Sequence, residues 1–283
     1  MNKPKLLILI TLGIITFFSC KLNYEDAKKK VASYKEVTYD ELIPQKDTKK
    51  QKHQRSTKDL KILKNNKSIT QKLSEILERE MAIIKRDKLQ TEIPSQFGLK
   101  NNMFELINVY KTNPQNGAKL KEKMNSNLRE SQRLRRQFYS SLSYNTTDIF
   151  NLAEIVKKLY QNPKAHEIIK NISGGIRIQQ RFEVALEDLA INMDRLKETA
   201  LEEIYALVVD LIEIKKEWLN TIETLIKSSN ATLELQYNIE KLKDHIQKLY
   251  KEKMLALCFK SEQAFIQLET LFKSNNFKKK IKK

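Results

Sequence analysis

The chain has 283 residues with only 5 Gly and 5 Pro, 40% hydrophobic and 31% charged side chains, which excludes both a turn-rich sheet fold and a wholly disordered chain and makes helix the expectation. Two cysteines exclude a disulfide framework, and His53, His166 and His245 stand far apart with no Cys partner at ligand spacing, so neither a metal site nor a cofactor is expected. The formal net charge of +18 does not make this a nucleic-acid binder, because residues 68–273 carry 32 basic against 28 acidic side chains and the excess sits at the two ends, an interleaved surface and not a phosphate-tracking face.

Taken in chain order, Met1–Lys5 is a short basic segment, residues 6–18 form an apolar run of 13, and Phe17-Phe18-Ser19-Cys20 closes it at a cysteine. This is the pattern of a lipoprotein signal over residues 1–19, and the run is shorter than the roughly 20 residues that span a bilayer as a helix. The chemistry requires a thiol directly after the cut: the Cys20 sulfur takes a diacylglycerol, and cleavage frees its amine for further acylation. Phe17 stands where a lipobox usually carries Leu. Several acyl chains together hold a protein firmly on a membrane, so the expectation is a lipid-anchored protein of the outer membrane, displayed at the cell surface. Export removes nucleic acid from the list of partners. It also leaves Cys258 as the thiol of the mature chain, between Leu255, Leu257 and Phe259, either buried or paired between chains.

Residues 20–67 have no sustained apolar period, contain Pro44 and carry 14 basic against 7 acidic side chains from residue 21 on; this reads as a lipidated, disordered basic tether. From Ser68 the pattern becomes helical, with Ile69, Leu73, Ile76, Leu77, Met81 and Ile84 at three- and four-residue steps and Ser68 with Gln71 as a capping box. The first helix should end before Pro94. A short helix is expected over 99–111, a longer one from Gly117 to about Leu142, and another capped by Thr146 or Thr147 that ends at Asn162-Pro163. A short helix then closes at Gly174-Gly175, read as a C-cap. The next 108 residues contain neither Gly nor Pro, which allows very long helices. Thr199 with Glu202 is a candidate capping box, Ser228-Ser229-Asn230 the expected turn, and Trp218 a core residue. A last helix over 231–273 would be about 64 Å long. A small bundle does not cover such a helix throughout, so it is either kinked or packs its C-terminal half on a second copy in a homodimer. The expected fold is therefore all-α: an elongated helical bundle of about seven helices over residues 68–273 with a long C-terminal helix, on the tether, followed by a basic tail over 274–283.

The stretch Leu134-Arg-Arg-Gln-Phe-Tyr-Ser-Ser-Leu-Ser-Tyr144, the helix NLAEIVKKLYQN, the segment Ile172-Ser-Gly-Gly-Ile-Arg-Ile-Gln179 and the long helical end together resemble the Borrelia outer-surface lipoproteins. More narrowly they resemble the virulent-strain-associated paralogues that include the complement regulator-acquiring surface proteins. The most specific piece is Tyr139–Tyr144. The resemblance covers roughly residues 69–273 and implies a helical domain on a flexible tether at the spirochaete surface. It does not imply a ligand, since some relatives bind the complement regulator factor H and others with the same fold do not. The basic tail Ser274–Lys283 departs from the factor H binder, so no factor H contact residue is carried over.

No nucleophile, phosphate-loop or metalloprotease motif occurs, and the carboxylate pairs Glu187-Asp188 and Glu202-Glu203 diverge on a helix, so the protein is not expected to be an enzyme. The expected function is capture of a host serum protein (factor H or plasminogen) or of a tick or host receptor, in immune evasion or adhesion. Lys282 and Lys283 are the candidate plasminogen contact, a terminal ammonium beside a carboxylate. The alternatives are a glycosaminoglycan adhesin using tether and tail, and a structural lipoprotein facing the periplasm.

Overall fold

In a computed structural model that describes residues 68–112 and 119–276, the chain enters the first described helix, α1 (Ile69–Lys88), through the capping box expected for it. The Gln71 N–H donates to the Ser68 hydroxyl at 3.2 Å, and the Ser68 N–H donates to the Gln71 side chain at 3.0 Å. Lys85, Arg86 and Lys88 crowd the last turn, where positive charge complements the helix dipole. The signal segment, the tether and residues 277–283 lie outside the described residues.

The next forty residues correct the expectation of two helices. A 3-10 turn (Gln96–Gly98) and a single helical turn, α2 (Met103–Leu106), lead into an antiparallel hairpin, β1 (Asn108–Thr112) with β2 (Lys119–Lys123), in which Tyr110 pairs with Lys121. The apolar step from Met103 to Tyr110 fits a helix as well as a strand. What decides is tertiary: the segment finds a partner strand in Lys119–Lys123, and across it Val109 is buried while its neighbour Tyr110 is exposed. Asn113, Pro114 and Gly117 between the strands are hairpin punctuation in sequence.

Helix α3 (Arg129–Ser141) starts twelve residues later than Gly117. It ends in a Schellman motif: Ser143 donates to the Ser140 carbonyl at 3.1 Å and Tyr144 to the Tyr139 carbonyl at 2.9 Å. Ser143 and Tyr144 both take left-handed backbone angles, φ 53° each. The motif Tyr139–Tyr144 is thus a helix ending with its aromatics stacked edge to face, ring centroids 5.7 Å apart.

Asn145, not Thr146 or Thr147, caps α4 (Thr146–Tyr160); its Oδ1 accepts from the N–H groups of Thr147 and Asp148. The Schellman turn sets this choice, because it leaves Asn145 as the first extended residue before the helix. A 3-10 turn (Pro163–Ala165) opens α5 (His166–Ile172), as expected of Asn162-Pro163. The glycines that follow are not a left-handed C-cap. Gly174 is helical, φ −53°, and Gly175 begins α6 (Gly175–Asn192). Both are there for space: a Cβ on Gly174 would meet the Cys258 sulfur at 2.9 Å, and one on Gly175 would meet Trp218 at 2.6 Å.

Helix α7 (Glu198–Ser229) begins at Lys197, which offers no side-chain cap, so Thr199 lies inside the first turn and makes no capping box. It ends at Asn230, where the turn was expected. The last helix is broken twice. Asn238 separates α8 (Leu233–Tyr237) from α9 (Ile239–Leu249), and a π turn (Tyr250–Met254) joins α9 to α10 (Leu255–Asn276). Its buried residues explain the π turn: Leu242, Ile246 and Leu249, then a step of five to Met254, then Leu257, Ala264, Leu268 and Phe272. One extra residue in the turn keeps both halves facing the core. With that kink, α10 lies along α7 and α6.

Every one of these helices except α8 contributes buried residues to the core. Trp218 is fully buried on α7, and Phe138, Tyr139, Phe104 and Phe182 are at most 1% exposed; each such side chain contributes about 1.5–3 kcal/mol by leaving water. Cys258 is half-buried on α10. Among the described residues no helix is long and apolar enough to cross a membrane.

Candidate functional site

Four of the ten arginines fall in the eight residues Arg129–Arg136, at and inside α3, and the helix turns them in different directions. Arg135 points inward and is 1% exposed. Its guanidinium donates to both oxygens of Glu92 at 2.8 and 2.7 Å, and to the carbonyls of Met124 and Ser126 at 2.5 and 2.7 Å. One buried cation thereby ties the loop after α1 to the end of the hairpin, using the fork that lysine lacks. The Tyr139 hydroxyl donates to the same Glu92 at 2.6 Å; burial foremost, and the carboxylate beside it, push its pKa well above the ordinary phenol range.

Arg136, one residue on, donates through both terminal nitrogens to Glu183 of α6 at 2.8 and 2.7 Å. Gln137 and Gln179 donate to the same carboxylate at 3.1 and 2.9 Å. Burial opposes ionisation of Glu183, which is 4% exposed. The hydrogen bonds outweigh it and hold the carboxyl below its usual value.

Glu92, Arg136, Tyr139 and Glu183 line an open cleft of about 1460 Å³ between the end of α1 and its following loop, Tyr110 of the hairpin, α3 and α6. Around it Arg133 holds Glu130 at 2.5 Å and Lys88 holds Glu187 at 3.6 Å. Each carboxylate lining the cleft therefore already faces a cation. Gln96, also lining it, has a left-handed backbone, φ 51°, as has Phe97. Its amide donates to the Asn125 carbonyl at 3.1 Å, while its own buried Oε1 has no partner.

Of the residues singled out in sequence, Tyr139, Tyr144 and Glu187 line the cleft. Cys20, Lys282, Lys283 and His53 are outside the described residues. His166 bonds the Tyr160 carbonyl at 3.0 Å and stacks on that ring, and His245 meets Ser228 at 2.7 Å; each serves a local contact. Of the carboxylate pairs, Glu187 lies in the cleft, while Glu202 and Glu203 are exposed on α7. Helical periodicity does not disclose the cleft. Its one signal in sequence is the density of arginine in a chain that otherwise prefers lysine, and nothing there joins Arg135 to Glu92 or Arg136 to Glu183, 43 and 47 residues away.

Residues 86–274 match the family model described as Borrelia Bbcrasp-1 domain containing protein. Among solved structures, the Lyme disease associated outer surface protein BBA65 from Borrelia burgdorferi is 72% identical, covers 71% of this chain and 98% of its own, and superposes with a TM-score of 0.67. The outer surface lipoprotein BBA64 from Borrelia burgdorferi (24% identity, 73% of this chain and 94% of its own, TM-score 0.61) and the outer surface protein BBA66 (21%, 71% and 97%, TM-score 0.61) share the fold. No curated protein sequence matches the chain.

Proposed function

The chain belongs to the family of Borrelia Bbcrasp-1 domain containing proteins, whose solved relatives are helical outer surface proteins, and from that premise we propose that it is a lipid-anchored surface protein that captures a host or vector protein. The observation that carries the reading is the likeness at 72% identity to a Borrelia outer surface protein over nearly all of that protein's length. An open cleft lined by pre-paired charges adds to it, because such a lining is rigid and already ordered when a partner arrives. Cys20 is the proposed lipid attachment, holding the domain at the outer membrane. Complement regulator or plasminogen capture, in immune evasion, or adhesion is the finer reading, with Lys282 and Lys283 as the proposed plasminogen contact.

The test has two arms. Protease treatment of intact cells should remove the protein, and Cys20→Ala should abolish labelling by radioactive palmitate; protection from protease would overturn surface display. The purified chain from Lys21 to Lys283, immobilised and washed with host serum or tick extract at physiological salt, should retain a specific protein identified by mass spectrometry. Retention of nothing from either source would overturn capture. Deleting Lys282 and Lys283 should remove plasminogen alone.

A further inference from the structure

Pairing off the charges of the cleft leaves a remainder. Arg133, Arg136 and Lys88 are used by Glu130, Glu183 and Glu187, and Glu92 by the buried Arg135. Lys100 and Arg129, both exposed and both lining the cleft, have no acidic partner among the described residues. Arg129 is the first residue of α3, a helix of 13 residues whose N-cap, Leu128, supplies no side-chain acceptor. The N–H groups of that first turn add partial positive charge at the same place.

Apolar surface lies among these cations. Tyr110 is 57% and Ile93 37% exposed, and both line the cleft. Spare positive charge beside an exposed tyrosine and isoleucine matches an extended peptide that supplies carboxylates and apolar side chains. A sulfated polysaccharide fits less well. It needs dense cations, and here Glu92, Glu130, Glu183 and Glu187 line the same walls and oppose a uniform polyanion.

We propose that this cleft takes an extended acidic segment of a partner protein, its carboxylates meeting Lys100, Arg129 and the N-terminus of α3 and its apolar side chains lying on Ile93 and Tyr110. The proposal rests on the reading of the protein as a capture protein and names the chemistry of what it captures.

Selection from a random library of peptides of about twelve residues on the chain from Lys21 to Lys283, at physiological salt, tests it. Enriched peptides should carry several Asp or Glu among apolar residues. Each should bind Lys100→Glu with Arg129→Glu at least about tenfold more weakly, since like charges then face each other. Lys260→Glu, an exposed lysine on α10, should leave binding unchanged. Lys100→Gln with Arg129→Gln gives the same test without new charge, should the reversal disturb folding. Neutral or basic enriched peptides, equal binding to the reversed protein, or displacement by a heparin oligosaccharide through these same two residues would overturn the proposal. Serum capture that survives the double reversal would leave the capture function standing and the cleft assignment wrong. Acidic peptides lost on reversal, with no serum or tick protein retained, would do the opposite.

Discussion

Gly175 at the start of α6 lies against the indole of Trp218: a Cβ built there would be 2.6 Å from Nε1, and 2.5 Å from the hydroxyl of Ser141. Trp218 is wholly buried and cannot retreat. The close approach is why a pair of glycines sits in mid-chain of an otherwise glycine-poor protein. Alanine favours a helix interior over glycine by about 1 kcal/mol, but here overpacking should win. We expect Gly175→Ala to lower stability by about 1–3 kcal/mol in urea denaturation. A gain in stability would show that the glycine serves no packing role.

The end of α3 makes the opposite case. Ser143 is exposed and holds φ 53° at the position where Schellman motifs usually place glycine. Left-handed backbone costs an L-residue about 1–2 kcal/mol, so Ser143→Gly should raise the melting temperature. Tyr144→Gly should not, because Tyr144 also stacks on Tyr139.

The cap of α4 separates two readings of one tripeptide. Asn145→Ala should cost about 1 kcal/mol, since it strips the acceptor from two N–H groups. Thr146→Ala and Thr147→Ala, inside the first turn and exposed, should cost little. Chemical denaturation of the three variants orders them directly.

Arg136 and Glu183 give a pH dependence with a definite sign. A carboxyl held below its usual value in the folded protein contributes stability that is present above the unfolded value of about 4.3 and lost as pH falls through the lower folded value. Glu183→Gln should therefore flatten the loss of stability on acidification below about pH 4.3. Arg136→Ala, which leaves a buried carboxylate short of its cation, should cost about 3 kcal/mol at neutral pH. Adding Glu183→Gln to it should restore part of that loss; a strictly additive double variant would show that the two do not interact.

The π turn yields a deletion test. Removing the exposed Glu252 shortens the step from Leu249 to Met254 from five to four, a spacing that a regular α-helix accommodates. We expect the deletion to keep helix content and to change stability by about 1 kcal/mol or less. Inserting an alanine in place of the deletion should rotate α10 off the core and unfold it, visible as a collapse of the circular dichroism melt.

Much of the fold is legible in the amino-acid sequence because its signals are local. The Ser68–Gln71 box, the stop at Asn162-Pro163 and the turn at Asn230 depend on hydrogen bonds between residues within a few positions of one another, and the four-residue steps of α1 record which face meets the core. The motif Tyr139–Tyr144 forms a single helix ending, held by hydrogen bonds within it. The kink in the last helix is half visible: the gap after Leu249 is in the sequence, but an apolar residue five positions on becomes meaningful only when a π turn brings it back to the core.

What only the tertiary structure decided is what long-range contact decides. Strand replaces helix at Val109 because the segment pairs with Lys119–Lys123. The glycines at 174 and 175 give clearance and not a cap, because Trp218 and Cys258 are placed against them. At the cleft Arg136 reaches Glu183, and beside it the buried Arg135 reaches Glu92, each across more than forty residues of chain. Helical periodicity tells which face of an element is covered, but a charge pair between two elements depends on where their axes cross, and only packing of the whole core determines that.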